Sequence, residues 1–155
     1  MRAVLQRVDR AVVFVEGREH AAIGRGLLVY LGIHREDTEK DSDWMIYKIL
    51  QARIFADESG KMAKSILEVR GELMIVSQIT LYGDLLKGNR PDMILNMKLP
   101  EAKSFYELFL EKLKASCPLK IHSGVFGADM DILSTNDGPI TLVIDSSSKQ
   151  LSRQN

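Results

Sequence analysis

One cysteine, Cys117, among 155 residues leaves no partner for an internal disulfide and excludes zinc sites that need two thiolates. A reducing compartment, the cytoplasm, is the expectation. No stretch approaches the ~20 consecutive apolar residues of a membrane span. The first residues, Met1-Arg-Ala-Val-Leu-Gln-Arg, carry charges where a signal peptide needs an apolar run, so neither secretion nor membrane insertion is expected. There is no excess of either charge, with 21 Lys plus Arg against 21 Asp plus Glu, so no global field draws the chain to a polyanion and any nucleic-acid contact must be local. Three histidines, His20, His34 and His122, stand far apart without metal-ligand spacing, and no metal or cofactor is expected. Gly24-Arg25-Gly26 lacks the third glycine of a dinucleotide loop, and no phosphate-binding GxxxxGK[ST] occurs.

What is present is an ordinary globular composition, 45% apolar and 27% charged, in a length that suits one domain. Val-, Leu- and Ile-rich segments predict strands over 3–8, 11–15, 19–23 and 26–32, separated by Asp9-Arg10, Glu16-Gly17 and Gly24-Arg25 turns. From Thr38 the apolar period becomes helical through Met45, Ile46, Ile49 and Leu50, with Thr38 and Asp41 as a capping box, which predicts a helix to about Arg53. Residues 72–82 alternate with both faces initially apolar, the pattern of a central strand. Residues 83–99 have no period and carry Lys87, Arg90 and Lys98, a long basic loop. Pro100 opens a second helix with Ala102, Phe105, Leu108, Phe109 and Leu113 on one face, and Pro118 ends it. Strands over 119–123, 128–135 and 140–145 follow, then a polar tail at 146–155 that is expected to be mobile. Two helices cannot cover both faces of so many strands. The expected fold is therefore α+β, one layered sheet-on-sheet domain over 1–145 with both helices on one outer face.

Two stretches point to chemistry. In Ser77-Gln78-Ile79-Thr80 an apolar strand turns polar, and such groups need partners or a ligand; the alternative is a strand leaving the core for the Tyr82-Gly83 turn. Asn136-Asp137-Gly138-Pro139 reads as a hairpin turn, and its Gly-Pro bond can be cis, which aims two carbonyls rigidly.

With these motifs the chain resembles the D-aminoacyl-tRNA deacylases. The resemblance runs from residue 1 to about 145 through Gly26-Leu-Leu-Val, Arg53-Ile-Phe, Gly60-Lys-Met62, Ser77-Gln-Ile-Thr-Leu81, Lys87-Gly88, Arg90-Pro91, Gly124-Val-Phe-Gly-Ala-Asp-Met130 and Asn136-Asp-Gly-Pro-Ile-Thr141. It implies a homodimer that hydrolyses the ester of D-aminoacyl-tRNA without metal or cofactor, as chiral proofreading in translation, with glycyl-tRNA mischarged on the alanine tRNA a further candidate substrate. It assigns Ser77, Gln78, Ile79 and Thr80 to catalysis and Phe126 and Met130 to the pocket. Gly138 and Pro139 become a chiral gate reaching across the dimer, and Lys87, Arg90 and Lys98 become tRNA contacts. Two departures from the family pattern stand out: Ile79 replaces the usual Phe, removing an aromatic face, and the segment 92–97 lacks the usual Ser-Phe and small residues. Two alternatives stay open, a non-catalytic tRNA- or ligand-binding dimer and an editing paralogue acting on small L-aminoacyl-tRNA.

Overall fold

The computed structural model describes residues 1–148. In chain order the elements are β1 (Arg2–Val15), β2 (Arg18–Ile23), β3 (Gly26–Gly32), α1 (Glu39–Gln51), β4 (Phe55–Ala56), β5 (Met62–Lys64), β6 (Glu72–Ser77), a 3-10 turn (Ile79–Tyr82), α2 (Glu101–Ser116), β7 (Ile121–Ser123) and β8 (Met130–Asp145). The architecture is α+β. Six strands form one sheet in the order β2-β1-β3-β6-β7, with β8 on the free edge of β1, and β4-β5 make a separate ribbon.

The long β1 organises the sheet. Its first half pairs with β3, its second half with β2, and its opposite edge pairs with β8 from Arg2↔Asp145 to Val15↔Met130. The sheet curls so that β2 meets β6 and β7, which closes an inner cluster of Val8, Ala11, Val13, Ile23, Leu28, Met74 and Val76. The other face carries the main core, where Leu5, Leu27, Val29, Leu31, Leu73 and Ile75 meet Met45 and Ile49 of α1 and Phe109 and Leu113 of α2. Both helices thus lie on one face, and each fully buried side chain of this size contributes about 1.5–3 kcal/mol. Strand β6 is paired on both edges, parallel to β3 and to β7, and both of its faces are apolar.

Local chemistry sets the helix ends. Thr38 donates from its backbone N–H (2.9 Å) and its hydroxyl (2.7 Å) to the Asp41 carboxylate, the expected capping box. Tyr106, which the sequence pattern omits from the α2 face, is buried and donates its hydroxyl to Ile75 O at 3.0 Å, tying α2 to β6; burial pushes the phenol pKa up.

Three expectations are corrected. The segments 3–8 and 11–15 form one strand, because Asp9-Arg10 marks only a shift of register against β8 rather than a reversal. The segments 128–135 and 140–145 also belong to one strand, so Asn136-Asp-Gly-Pro is not a hairpin turn: the chain bulges and rejoins β1. The strand predicted over 72–82 ends at Ser77 and turns into the 3-10 segment. Of the segment 146–155, expected as a mobile tail, residues 146–148 are described. Ser146 is buried, donates its N–H to Met1 O and accepts from the Met1 ammonium, while 149–155 lie outside the described residues.

The entry to β3 generates a prediction. The Glu72 carboxylate accepts from Gly24 N–H at 2.7 Å, and this bond, aided by Lys120 and opposed by partial burial, holds its pKa below the ordinary 4.5. Its stabilisation is present above that ordinary value and is lost as pH falls through the folded-state pKa. Glu72→Gln should therefore lower stability at neutral pH and flatten the acid limb, as urea unfolding across pH will show. At the same place a Cβ on Gly26 would sit 1.9 Å from Glu72 O, so Gly26→Ala should cost about 4 kcal/mol or more.

Candidate active site

Where β6 leaves the sheet, the backbone carries the site. Gln78 N–H donates to Leu31 O at 2.8 Å, and the next residues tighten into the 3-10 turn. Gly32 permits the close approach: a Cβ there would lie 3.1 Å from Leu81 Cβ and 3.2 Å from Gln78 O. Arg2 clamps the turn from β1, donating Nη1–H to Leu81 O at 2.7 Å with its guanidinium 4.7 Å from the Tyr82 ring centre. The N–H groups of Ile79 and Thr80, at the start of this turn, have no acceptor among the described residues.

A cleft of about 470 Å³ opens beside them. Val76, Ser77, Gln78 and Ile79 form one side; Phe126, Met130 and Ile132 form the second, and Met93, Asn96, Met97 and Leu99 the third. Gly124 makes room for Met130, since a Cβ there would lie 2.6 Å from Met130 Sδ. Phe126 leans on Tyr106 with ring centres 5.4 Å apart. Of the expected residues the structure thus gathers Ser77, Gln78, Ile79, Phe126 and Met130. Thr80 is exposed, does not line the cleft, and its hydroxyl accepts a hydrogen bond from Gln78 Nε2. Among the described residues no carboxylate or imidazole is bonded to that hydroxyl, so no base activates it as a nucleophile.

Gly138 and Pro139 do not line this cleft. They are exposed on the β8 bulge, joined by a cis peptide bond, with Gly138 at φ +120°. Between the pairs Gln6↔Thr141 and Val8↔Asn136, β8 spends residues 137–140 opposite Arg7 alone. Arg7 fills the space so created. Its Nη1 donates to Ile54 O at 2.6 Å, while its Nε faces Asp137 Oδ2 at 2.7 Å in an ion pair angled too poorly for a good hydrogen bond. Asn136 Oδ1 accepts from Ile140 N–H at 3.0 Å and closes the bulge from the other side. Sequence reasoning missed Arg7, yet a signal existed. It shares the strand parity of the fully buried Ala3 and Leu5, and a guanidinium on a buried face needs acceptors.

The basic trio is divided. Lys87 and Arg90 sit exposed on a loop closed by the Asp84–Asp92 bridge, whereas Lys98 stands apart, before α2 and near Arg35. A separate cavity of about 430 Å³ surrounds the Met1 ammonium, which pairs with Asp37; it touches none of the expected site residues, and burial holds the Asp37 pKa above the usual range despite that pair. Among the described residues no group of three or more His, Cys, Asp or Glu could hold a metal ion, and no helix is long and apolar enough to cross a membrane.

The family model described as D-Tyr-tRNA(Tyr) deacylase matches residues 4–145, the span that contains both the cleft and the bulge. The chain belongs to that family. It is similar to the D-aminoacyl-tRNA deacylase of Clostridium tetani (strain Massachusetts / E88), 50% identical over 94% of this chain and 97% of the relative. Its similarity to the D-aminoacyl-tRNA deacylase of Prosthecochloris aestuarii (strain DSM 271 / SK 413) is 49% over 94% of this chain and 99% of that one. A solved structure described as c-Myc DNA Unwinding Element Binding Protein superposes with a TM-score of 0.90 at 47% identity, covering 94% of this chain and 98% of its own.

The bulge of this deacylase-family chain can be tested directly. Arg7→Ala should lower the free energy of unfolding by about 2 kcal/mol, the loss of a charged group's hydrogen bond and a partly exposed ion pair. Hydrogen exchange of the Ile140 amide should accelerate in the same variant. Unchanged exchange would mean that Asn136 holds the bulge unaided.

Proposed function

We propose that the chain hydrolyses the ester bond of D-aminoacyl-tRNA, releasing the D-amino acid and the tRNA, in chiral proofreading of cytoplasmic translation. Family membership supplies the reaction class, and one observation carries its assignment to this cleft: two unpaired N–H groups, on Ile79 and Thr80, at the mouth of an apolar-walled pocket. Water attacks the ester carbonyl, the carbonyl oxygen takes up the negative charge, and those amides stabilise it. Removing one such donor in a hydrolase typically costs about 100- to 1,000-fold. Collapse then breaks the bond to the ribose 3′-oxygen, which leaves with a proton. Since Thr80 has no base beside it, the reading favours water positioned by the substrate's own 2′-hydroxyl. Ser77 and Gln78 shape the wall, and Gln78 also fixes the Thr80 hydroxyl.

The same reading makes the active species a two-fold homodimer. Gly138 and Pro139 do not line their own cleft, and β8 leaves Leu133 64% and Val143 66% exposed, apolar surface that a second copy would cover while delivering the Gly-Pro gate to its partner's pocket. Lys87, Arg90 and Lys98 are read as contacts to tRNA phosphates.

A second reading, nucleic-acid binding without turnover, is favoured by the description of the structural neighbour at 47% identity. Zero net charge speaks against a non-specific DNA binder. Deacylation assays separate the two. D-Tyr-tRNA should be hydrolysed and L-Tyr-tRNA spared; binding of both without turnover would favour the second reading, and cleavage of small L-aminoacyl esters would favour the editing paralogue.

Thr80→Ala and Gln78→Ala should each lower kcat/KM by less than about tenfold, the worth of one neutral hydrogen bond. Replacing the terminal ribose 2′-hydroxyl by hydrogen should cost about 100-fold or more. Abolished activity in folded, tRNA-binding Thr80→Ala would make the Thr80 hydroxyl the nucleophile. Light scattering at micromolar concentration should give twice the chain mass, and a monomer would sink the shared-site model.

A further inference from the structure

Beside the cleft lies a second cavity of about 490 Å³, and Asn96 and Met97 wall both. We propose that this cavity is the subsite for the nucleotide preceding the terminal adenosine of the tRNA acceptor strand, with its phosphate on Arg35 and Lys98 and a ribose or base donor on Asn96 Oδ1. The inference rests on the deacylase reading of the cleft; it gives Lys98 a defined place and adds Arg35 and Asn96, which neither the motif pattern nor that reading assigns.

Charge is the first support. Arg35 and Lys98 line the cavity against one carboxylate, Glu101. The Arg35 side chain is half exposed, and its nearest acid, Glu36, lies 3.8 Å away and is itself 75% exposed, a pairing too loose and too hydrated to occupy it. Lys98 makes no ion pair among the described residues. The spacing of the two cations is set by backbone: Arg35 N–H donates to Leu95 O at 2.9 Å and Met97 N–H to Ile33 O at 3.1 Å, zipping the exit of β3 to the segment before α2.

The second support is a polar group left without a partner. Asn96 is 9% exposed, and its Oδ1 is buried with nothing bonded to it, while its Nδ2 donates to Met93 O at 3.2 Å. Turning the amide over would set oxygen against the Met93 carbonyl, so the acceptor and not the donor is the unsatisfied end. An orphaned buried acceptor costs about 1–3 kcal/mol, and because Asn96 lines the cavity a turn of its side chain on binding would bring Oδ1 to a donor of the ligand. Two cations alone fit any anion. Two cations beside an acceptor that wants a proton fit a group bearing both phosphate and hydroxyl or amine, which a ribonucleotide does. Ile94, 61% exposed on the same wall, offers an apolar face to a base. Lys87 and Arg90 line neither cavity, so they fit phosphates farther along the acceptor stem.

The test compares two substrates on the full-length protein, D-tyrosyl-tRNA and D-tyrosyl-adenosine, which carries the same ester but no preceding nucleotide. Arg35→Ala with Lys98→Ala should raise KM for the tRNA about tenfold and reduce the salt slope by about 0.7, the worth of one phosphate on a single strand, while leaving kcat/KM on the adenosine ester unchanged. Asn96→Ala, which alters a wall shared with the cleft, should raise KM on the tRNA by more than on the adenosine ester. Glu101→Gln, which removes the opposing charge, should lower that KM by about half or more, a gain that misfolding cannot mimic. Equal losses on both substrates, or no change on the tRNA, would overturn the subsite. If the wild-type chain cleaves neither ester, the deacylase reading fails by itself, and the subsite is then judged by binding of an uncharged CCA-ended acceptor minihelix. There the Arg35/Lys98 variant should bind about tenfold more weakly than wild type, and equal binding would overturn it.

Discussion

Arg2 pairs with Asp145 and Val15 with Met130, so the first and last strands of the sheet lie side by side along their whole length. Among the described residues β8 pairs with no strand but β1, and the site elements carried by β8 take their position from that pairing. Met130 and Ile132, at one end of β8, face the cleft; the Gly138-Pro139 bulge interrupts its middle; Asp145, at the other end, meets Arg2, which also grips the 3-10 turn. The pairing joins the most distant parts of the chain, so its loop-closure entropy is offset only when the rest of the sheet is in place.

The bulge shows how such a ladder tolerates three extra residues. A strand that spends residues 137–140 opposite one partner residue leaves backbone groups without ladder bonds, and these need substitutes. Asn136 supplies one through its side chain. Arg7, reaching both the Ile54 carbonyl and Asp137, converts the remaining gap into a braced structure. A bulge with partners on both sides presents its tip in one orientation, which is the property a stereochemical gate needs.

Much of this was legible in the residues, and the failures have a common cause. β3 was read with its observed bounds, because Gly26 and Gly32 frame an unbroken apolar run, and the capping box at Thr38 and Asp41 forms as its spacing implies. Asp9-Arg10 and Asn136-Asp-Gly-Pro were misread as reversals. Turn-forming residues report that the chain departs from ideal extension; whether it returns to the same partner depends on β1, more than a hundred residues away in sequence. The motif Ser77 to Thr80 was visible as a change of polarity, but the donors it exposes are backbone amides, which any residue type could present. Grouping Lys87, Arg90 and Lys98 by proximity in sequence joined a loop tip to a helix entrance, while Arg35, which stands with Lys98, lies far from it along the chain.

The cleft combines two kinds of wall. The donors proposed for it are backbone groups, on a turn held by Leu31, Gly32 and Arg2, with no rotamer freedom to lose on binding. Its sides are Met93, Met97, Met130 and Ile79, the thioethers among them unbranched and able to fit irregular shapes. Such walls accept many side chains at similar cost and cannot by themselves tell one enantiomer from the other. Ile79, 55% exposed, adds an aliphatic face with no ring to stack on a flat group. In the proposed dimer, discrimination therefore falls to the one rigid element that is not part of the cleft, the braced Gly138-Pro139 tip from the second subunit. Adaptable walls then set how broad a range of D-residues is accepted, and the tip sets only handedness.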